Sequence, residues 1–97
     1  MVTRSSLSRD RQLAQFGEHI RAWRQLQGLS ASELARRANV TRATLRSVED
    51  GVGSPRFDSV MAVVAALGFA EHLVASADPL GTDAGRALAY RMASGSS

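Results

Sequence analysis

The 97-residue sequence contains no cysteine and no lysine. Without cysteine there are no disulfides, no thiolate metal sites and no cysteine nucleophile. Without lysine, all 12 basic residues are arginine, and alanine is abundant. That pairing suits GC-rich coding, so part of the arginine bias need not be chemistry. No apolar run approaches the roughly 20 residues that span a membrane. The segment Met1–Leu7 is polar and lacks the apolar core of a secretory signal. A second independent core has no room, since a usual domain already takes about 100–150 residues. The expectation is one cytoplasmic domain with no membrane partner.

The charge is unevenly spread. Residues 1–56 hold ten arginines against five acids, and residues 57–97 hold two against four. A basic N-terminal part suits a polyanion partner, although an ordinary solvated surface would look the same. Apolar spacing and breakers then divide the chain into short helices, with no strand and no internal repeat. Residues 1–8 read as a flexible arm. Leu13, Phe16, Ile20 and Trp23 recur at spacings of three and four, predicting a helix over 9–27 that Gly28 stops. Ser30-Ala31-Ser32-Glu33 is a capping box that opens a helix over 31–38, with Leu34, Ala35 and Ala38 inward. Asn39 suits a left-handed turn. Thr41 caps a third helix over 42–50 with Leu45 and Val48 inward. A fourth runs over 56–67 with Phe57, Val60, Met61, Val64 and Leu67 inward. A fifth covers 69–77. Residues 9–77 form the predicted domain. Residues 78–97 form an extension, weakly helical over 81–93, partly disordered or partner-binding, with Ser94–Ser97 loose.

Two short helices joined by a three-residue turn have helix-turn-helix geometry. The residues carry more than the geometry. Ile20-x-x-Trp23-Arg24 is followed by Gly28-Leu29-Ser30, Glu33-Leu34-Ala35 and Ala38-Asn39-Val40-Thr41. Then come Leu45, Val48-Glu49-x-Gly51, Pro55-x-Phe57-x-x-Val60 and Ala66-Leu67-Gly68. This series over Ile20–Gly68 resembles the Cro/phage-repressor, or XRE, type of helix-turn-helix. The resemblance implies an all-α, lambda-repressor-like bundle of four to five short helices that binds double-stranded DNA. Two positions depart from it. Ala31 stands where the family carries a phosphate-touching Gln, and Asn39 where Gly is usual.

An α-helix fits the major groove of B-DNA, and the second helix of this motif enters it. At 100° per residue, Arg42, Ala43, Arg46 and Ser47 share the face opposite Leu45 and Val48. The resemblance supports Arg42, Ala43 and Ser47 as base-contacting; periodicity and charge add Arg46. Helix N-termini attract phosphates. Ser30, Thr41 and Arg56 occupy such positions, the Gly51–Ser54 backbone lies nearby, and Arg9 and Arg11 reach from the arm. The resemblance also implies an Arg24–Glu49 ion pair tying the first helix to the third.

A homodimer is expected because operators for this motif are usually palindromic. Its surface is assigned to the fifth helix and its surroundings: Phe69, Leu73, Val74 and Leu80. Such a regulator would be nucleoid-associated and a repressor. The alternative is an antitoxin, HipB-like, whose residues 78–97 hold a toxin through Pro79, Leu80, Leu88, Tyr90 and Met92. An enzyme is not expected. His19 and His72 lie in separate segments without metal-ligand spacing, the serines sit at caps and ends, and no Gly-rich phosphate loop occurs. No cofactor and no metal follow from the sequence.

Overall fold

The structure, a computed structural model, describes residues 4–95. Six α-helices follow one another: α1 Arg4–Leu26, α2 Ala31–Ala38, α3 Arg42–Asp50, α4 Phe57–Leu67, α5 Ala70–Ser76 and α6 Asp83–Gly95. A 3-10 turn, Pro79–Gly81, separates the last two. The described residues contain no strand. The fold is all-α, with α1–α5 as the bundle and α6 as a further helix outside it.

The helix ends follow from their cap residues. The Glu33 amide donates to Ser30 Oγ at 3.1 Å, and the Ser30 amide donates to Glu33 Oε1 at 3.3 Å. The Thr44 amide donates to Thr41 Oγ1 at 3.0 Å. Asn39 closes α2 in the left-handed region at φ 55°, a conformation that asparagine tolerates better than most side chains.

Two ends of the chain depart from expectation. Residues 4–8 belong to α1 and are not a flexible arm; residues 1–3 lie outside the described residues. Positions 4–16 contain no glycine or proline. Once tertiary packing nucleates the helix at its centre, each further residue adds a hydrogen bond. At the other end α6 continues through Gly95, so residues 94 and 95 are helical. Thr82 starts that helix, its Oγ1 accepting from the Gly85 amide at 3.0 Å. Ser96 and Ser97 lie outside the described residues.

The core forms where α1, α2, α3 and α4 meet. Ile20, Leu34, Leu45, Val63 and Val64 are fully buried, and Leu29, Ala35, Ala38, Val48 and Leu67 close around them. Fully burying one large aliphatic side chain contributes about 1.5–3 kcal/mol, so this small set carries most of the stabilisation. The expected inward stripes need two corrections. In α4 the buried residues are Val63, Val64 and Leu67, with Val60 half-buried beside them, whereas Phe57 is 76% exposed. Phe57 sits in the first turn of α4, before the helix reaches its buried stretch. In α1, Leu13 and Trp23 are each 44% exposed. The face that α1 turns toward α3 runs instead through Gly17, Ile20, Arg21 and Arg24.

Gly17 explains that rotation. A Cβ at Gly17 would lie 2.3 Å from the Glu49 carbonyl oxygen and 2.5 Å from that of Val48. One turn earlier, Ala14 meets Gly51, where a Cβ would lie 2.7 Å from the Ala14 Cα. Backbone therefore touches backbone where α1 crosses the end of α3. Gly51 must also be left-handed, at φ 68°. Glycine is the residue that satisfies both demands.

Gly17→Ala removes a mid-helix glycine, which by propensity alone would stabilise α1 by about 1 kcal/mol. Packing reverses the sign here, because the obstructing atoms are carbonyl oxygens that cannot rotate away. Urea denaturation of Gly17→Ala is expected to show a net loss of about 1–3 kcal/mol, the usual cost of overpacking. Equal or higher stability would show that α1 and α3 can separate freely.

Candidate nucleic-acid interface

Glu49 is the one buried charged residue among the described residues, 5% exposed at the end of α3. Arg24 donates to it twice, from Nε to Oε2 at 2.7 Å and from Nη2 to Oε1 at 3.0 Å. The remaining Arg24 nitrogen, Nη1, donates to the Leu29 carbonyl at 3.1 Å. This bidentate fork is the strong form of an ion pair. A second arginine, which sequence reasoning missed, completes the site. Arg21 donates from Nε to Glu49 Oε1 at 3.1 Å and from Nη2 to Asp50 Oδ1 at 2.7 Å. Asp50 in turn lies 3.8 Å from Arg46 Nε. The signal for Arg21 was its spacing: it is one step from Ile20 and one turn after Gly17, on the face that meets α3.

Burial pushes the Glu49 carboxyl up, and the hydrogen bonds from Arg24 and Arg21 outweigh it, leaving the group below the usual carboxylate range. Glu33 is also lowered, by its hydrogen bonds from Ser30.

With its inner face held by Leu45, Val48 and Glu49, α3 turns Arg42, Ala43 and Arg46 to solvent. These three border a shallow recess with Ala31, Leu45 and Glu49. The small Ala31, standing where the resemblance expected Gln, leaves room beside both arginines. Ser47 is half-buried and on the other rim. A Cβ on Gly53 would lie 3.6 Å from its Oγ. The structure thus brings Arg42, Ala43 and Arg46 onto one open face and sets Ser47 at its edge, against the 51–55 loop.

The expected phosphate residues sit in different surroundings. Ser30 is exposed and its hydroxyl already accepts from Glu33. The Thr41 hydroxyl accepts from the Thr44 amide and donates to Thr44 Oγ1 at 2.9 Å. Its one donor hydrogen is used, so a phosphate there would meet the free N–H groups of α3's first turn instead. Arg56 precedes α4 and pairs with Asp58 at 3.0 Å, both exposed. Arg9 and Arg11 are exposed on α1 in the turns before Ala14 meets Gly51; helix replaces the arm they were assigned to.

The residues assigned to a dimer surface are divided. Phe69 stacks on Trp23, with ring centroids 5.5 Å apart and planes at 22°. Leu73 packs partly buried against the core. Val74 and Leu80 are exposed. Among the described residues no cluster of His, Asp and Glu could hold a metal ion, and no helix is long and apolar enough to cross a membrane.

A family model described as a helix-turn-helix domain matches residues 15–77. The chain belongs to the helix-turn-helix domain family. The match spans α2 and α3, the two short helices of the motif, and is consistent with the XRE-type resemblance. It ends before the 3-10 turn and α6. No curated protein and no solved structure matches the chain.

Two outcomes test the ion-pair cluster. Arg24→Ala leaves a buried carboxylate with only Arg21, and is expected to cost about 1–3 kcal/mol, the range for a stranded buried acceptor. Arg24→Lys should recover only part of this, since an ammonium cannot make the fork. The pH dependence follows from linkage. A folded-state pKa below the unfolded value of about 4.3 gives stability that is full above that value and lost as pH falls through the folded pKa. Denaturation midpoints measured from pH 6 to pH 3 should therefore fall in the wild type. The fall should be shallower in Glu49→Gln, with Glu33 supplying part of what remains. An identical slope in both proteins would remove Glu49 from the account.

Proposed function

We propose that this helix-turn-helix protein is a sequence-specific transcriptional regulator, acting in the cytoplasm on nucleoid DNA as a homodimer and repressing by promoter occlusion. The observation that carries the reading is the exposed face of α3. Arg42, Ala43 and Arg46 are exposed on a short helix whose opposite side is anchored by Leu45, Val48 and Glu49. In a major groove, an arginine fork matches guanine O6 and N7, and a methyl meets the thymine methyl. Ser47, on the rim, would reach a base or the backbone. The N–H groups at the start of α2 and α3, beside Ser30 and Thr41, together with Arg56, Arg9 and Arg11, supply the phosphate contacts.

The two classes of arginine separate experimentally. Arg42→Ala and Arg46→Ala should each cost about 1–3 kcal/mol on the operator and relax the preference at one base pair per half-site. Arg56→Ala should weaken operator and scrambled duplexes alike and reduce the salt slope by about one unit per half-site. Asp58 neutralises Arg56 across 3.0 Å, so Asp58→Asn should move affinity for both duplexes upward. Selection from a random pool supplies the operator. Two inverted half-sites about 10–10.5 base pairs apart, or a multiple, are expected for a two-fold dimer. Equal loss on both duplexes for either α3 variant would make that arginine a phosphate contact.

The antitoxin reading rests on a different observation. Residues 78–97 lie beyond the matched family segment, and Leu88, Tyr90 and Met92 of α6 are all exposed. It predicts that a toxin protein co-purifies with the native chain and is lost when α6 is removed. A partner-free homodimer with full operator affinity speaks against it.

A further inference from the structure

The last turn of α3 breaks a local rule. It carries two acids, Glu49 and Asp50, and no basic residue. The carbonyl end of a helix disfavours negative charge. Pairing with Arg24 accounts for Glu49. Asp50 has a different setting. It is exposed, and at about 100° per residue it projects between Arg46 and Ala43. The face proposed to enter a groove therefore ends in a carboxylate, which repels every phosphate that approaches it. A residue that works against both its own helix and the expected ligand points to a role at the site.

The contacts of Asp50 show what it holds. Its Oδ1 accepts from Arg21 Nη2 at 2.7 Å. Arg21 is itself fixed by its Nε bond to buried Glu49 at 3.1 Å, so Asp50 is steadied from the core side. The hydrogen bonds to Asp50 and Glu49 also favour the charged form of Arg21. The second carboxylate oxygen, Oδ2, lies 3.8 Å from Arg46 Nε. That contact is on the stem side of the guanidinium and leaves the Nη1 and Nη2 end of the fork for another acceptor. Two parallel N–H groups are what guanine O6 and N7 accept. Arg42 lies about two turns before Asp50, roughly 12 Å along the helix axis, so Asp50 acts on one arginine of the face and not on both.

We propose that Asp50 is the positioning residue of this DNA face: tethered by Arg21, it holds Arg46 in the pose that reads a guanine and keeps it off phosphates. This rests on the DNA-binding reading and adds the source of its selectivity. A long arginine without a tether pairs with whichever phosphate is near, and such contacts carry no sequence information. With Asp50 in place, moving Arg46 to a phosphate gives up the carboxylate and brings the phosphate toward a negative charge. Bonding a guanine end-on keeps the Asp50 pair. Asp50 thus lowers affinity for any duplex and lowers it least for the correct one, which is how a repulsive element produces specificity.

Asp50→Asn removes the charge and keeps the size of the side chain; Asp50→Glu keeps the charge. The wild type and both variants are titrated against the selected operator and a scrambled duplex at several salt concentrations. In Asp50→Asn the scrambled duplex should bind more tightly, and its salt slope should steepen by about one unit per half-site as Arg46 engages a phosphate. Operator affinity should rise less. The ratio of the two affinities should fall about 5-fold or more, up to the roughly 100-fold that a whole arginine–guanine contact supplies. Asp50→Glu should retain most of the ratio. In an Arg46→Ala background, Asp50→Asn should leave the ratio unchanged, because Asp50 acts through Arg46. The melting midpoint should move little, since exposed pairs contribute little to stability. NMR relaxation at the arginine Nε–H groups reads the tether without DNA. Arg46 should be more restrained than Arg42 in the wild type and equally mobile in Asp50→Asn; the wild-type measurement decides even if a variant fails to fold. An unchanged ratio and slope in Asp50→Asn, an equal gain on both duplexes, or equal mobility of Arg46 and Arg42 in the wild type would each overturn this proposal alone. A wild type that does not discriminate between the duplexes would overturn the DNA-binding reading and this proposal with it.

Discussion

A carboxylate buried at the end of a short helix is costly unless it is paired, and Glu49 in α3 makes the rest of this structure depend on its partners. Arg24 and Arg21 project from successive turns of α1 and converge on its two oxygens. They can do so because Gly17 lets α1 approach the last turn of α3 with no side chain between. Close approach and ion pairing require each other. Without the glycine, the guanidiniums could not reach from that distance. Without them, the approach would strand a buried charge, a cost of several kcal/mol. The result fixes the rotation of α3 about its own axis, and that rotation decides which side chains face outward.

Two of the outward arginines have an acidic neighbour. Arg46 lies near Asp50, which Arg21 also engages, and Arg56 pairs with Asp58. Exposed pairs of this kind contribute little to stability. Continuity from buried Glu49 through Arg21 and Asp50 to Arg46 links the core to the open face through a chain of charges. Position on that face is thereby coupled to the α1–α3 contact.

The two ends of the chain follow a different logic. The matched family segment contains nearly all of the buried core. Outside it, the first turns of α1 and the whole of α6 are helical with little or no buried surface. Isolated helices of such length are marginal in water, so their apolar residues gain from a neighbouring surface. Phe57 beside the 51–55 loop and Leu88 and Met92 on α6 are among the exposed apolar residues of the described chain.

Local signals determined much of this protein from sequence alone. The capping box at Ser30, the left-handed turn at Asn39, the Thr41 cap and the glycine stops at Gly28, Gly51 and Gly68 act within a few residues, so their patterns are written in the chain. The spacing of Leu45 and Val48 likewise set apart the face with Arg42, Ala43 and Arg46. What the pattern could not decide was which apolar residues would find a neighbour. Phe57, Leu13 and Trp23 have the periodicity of a core yet lie at its margins, because burial depends on where the facing helix ends. Val63 was absent from the expected stripe and is fully buried, because α4 turned to meet α2. Arg21 looked like one more basic residue until the Gly17 contact brought it onto Glu49. Helix starts and stops are short-range properties of the backbone; burial and ion pairing are long-range properties of two surfaces, and only the packed structure brings those surfaces together.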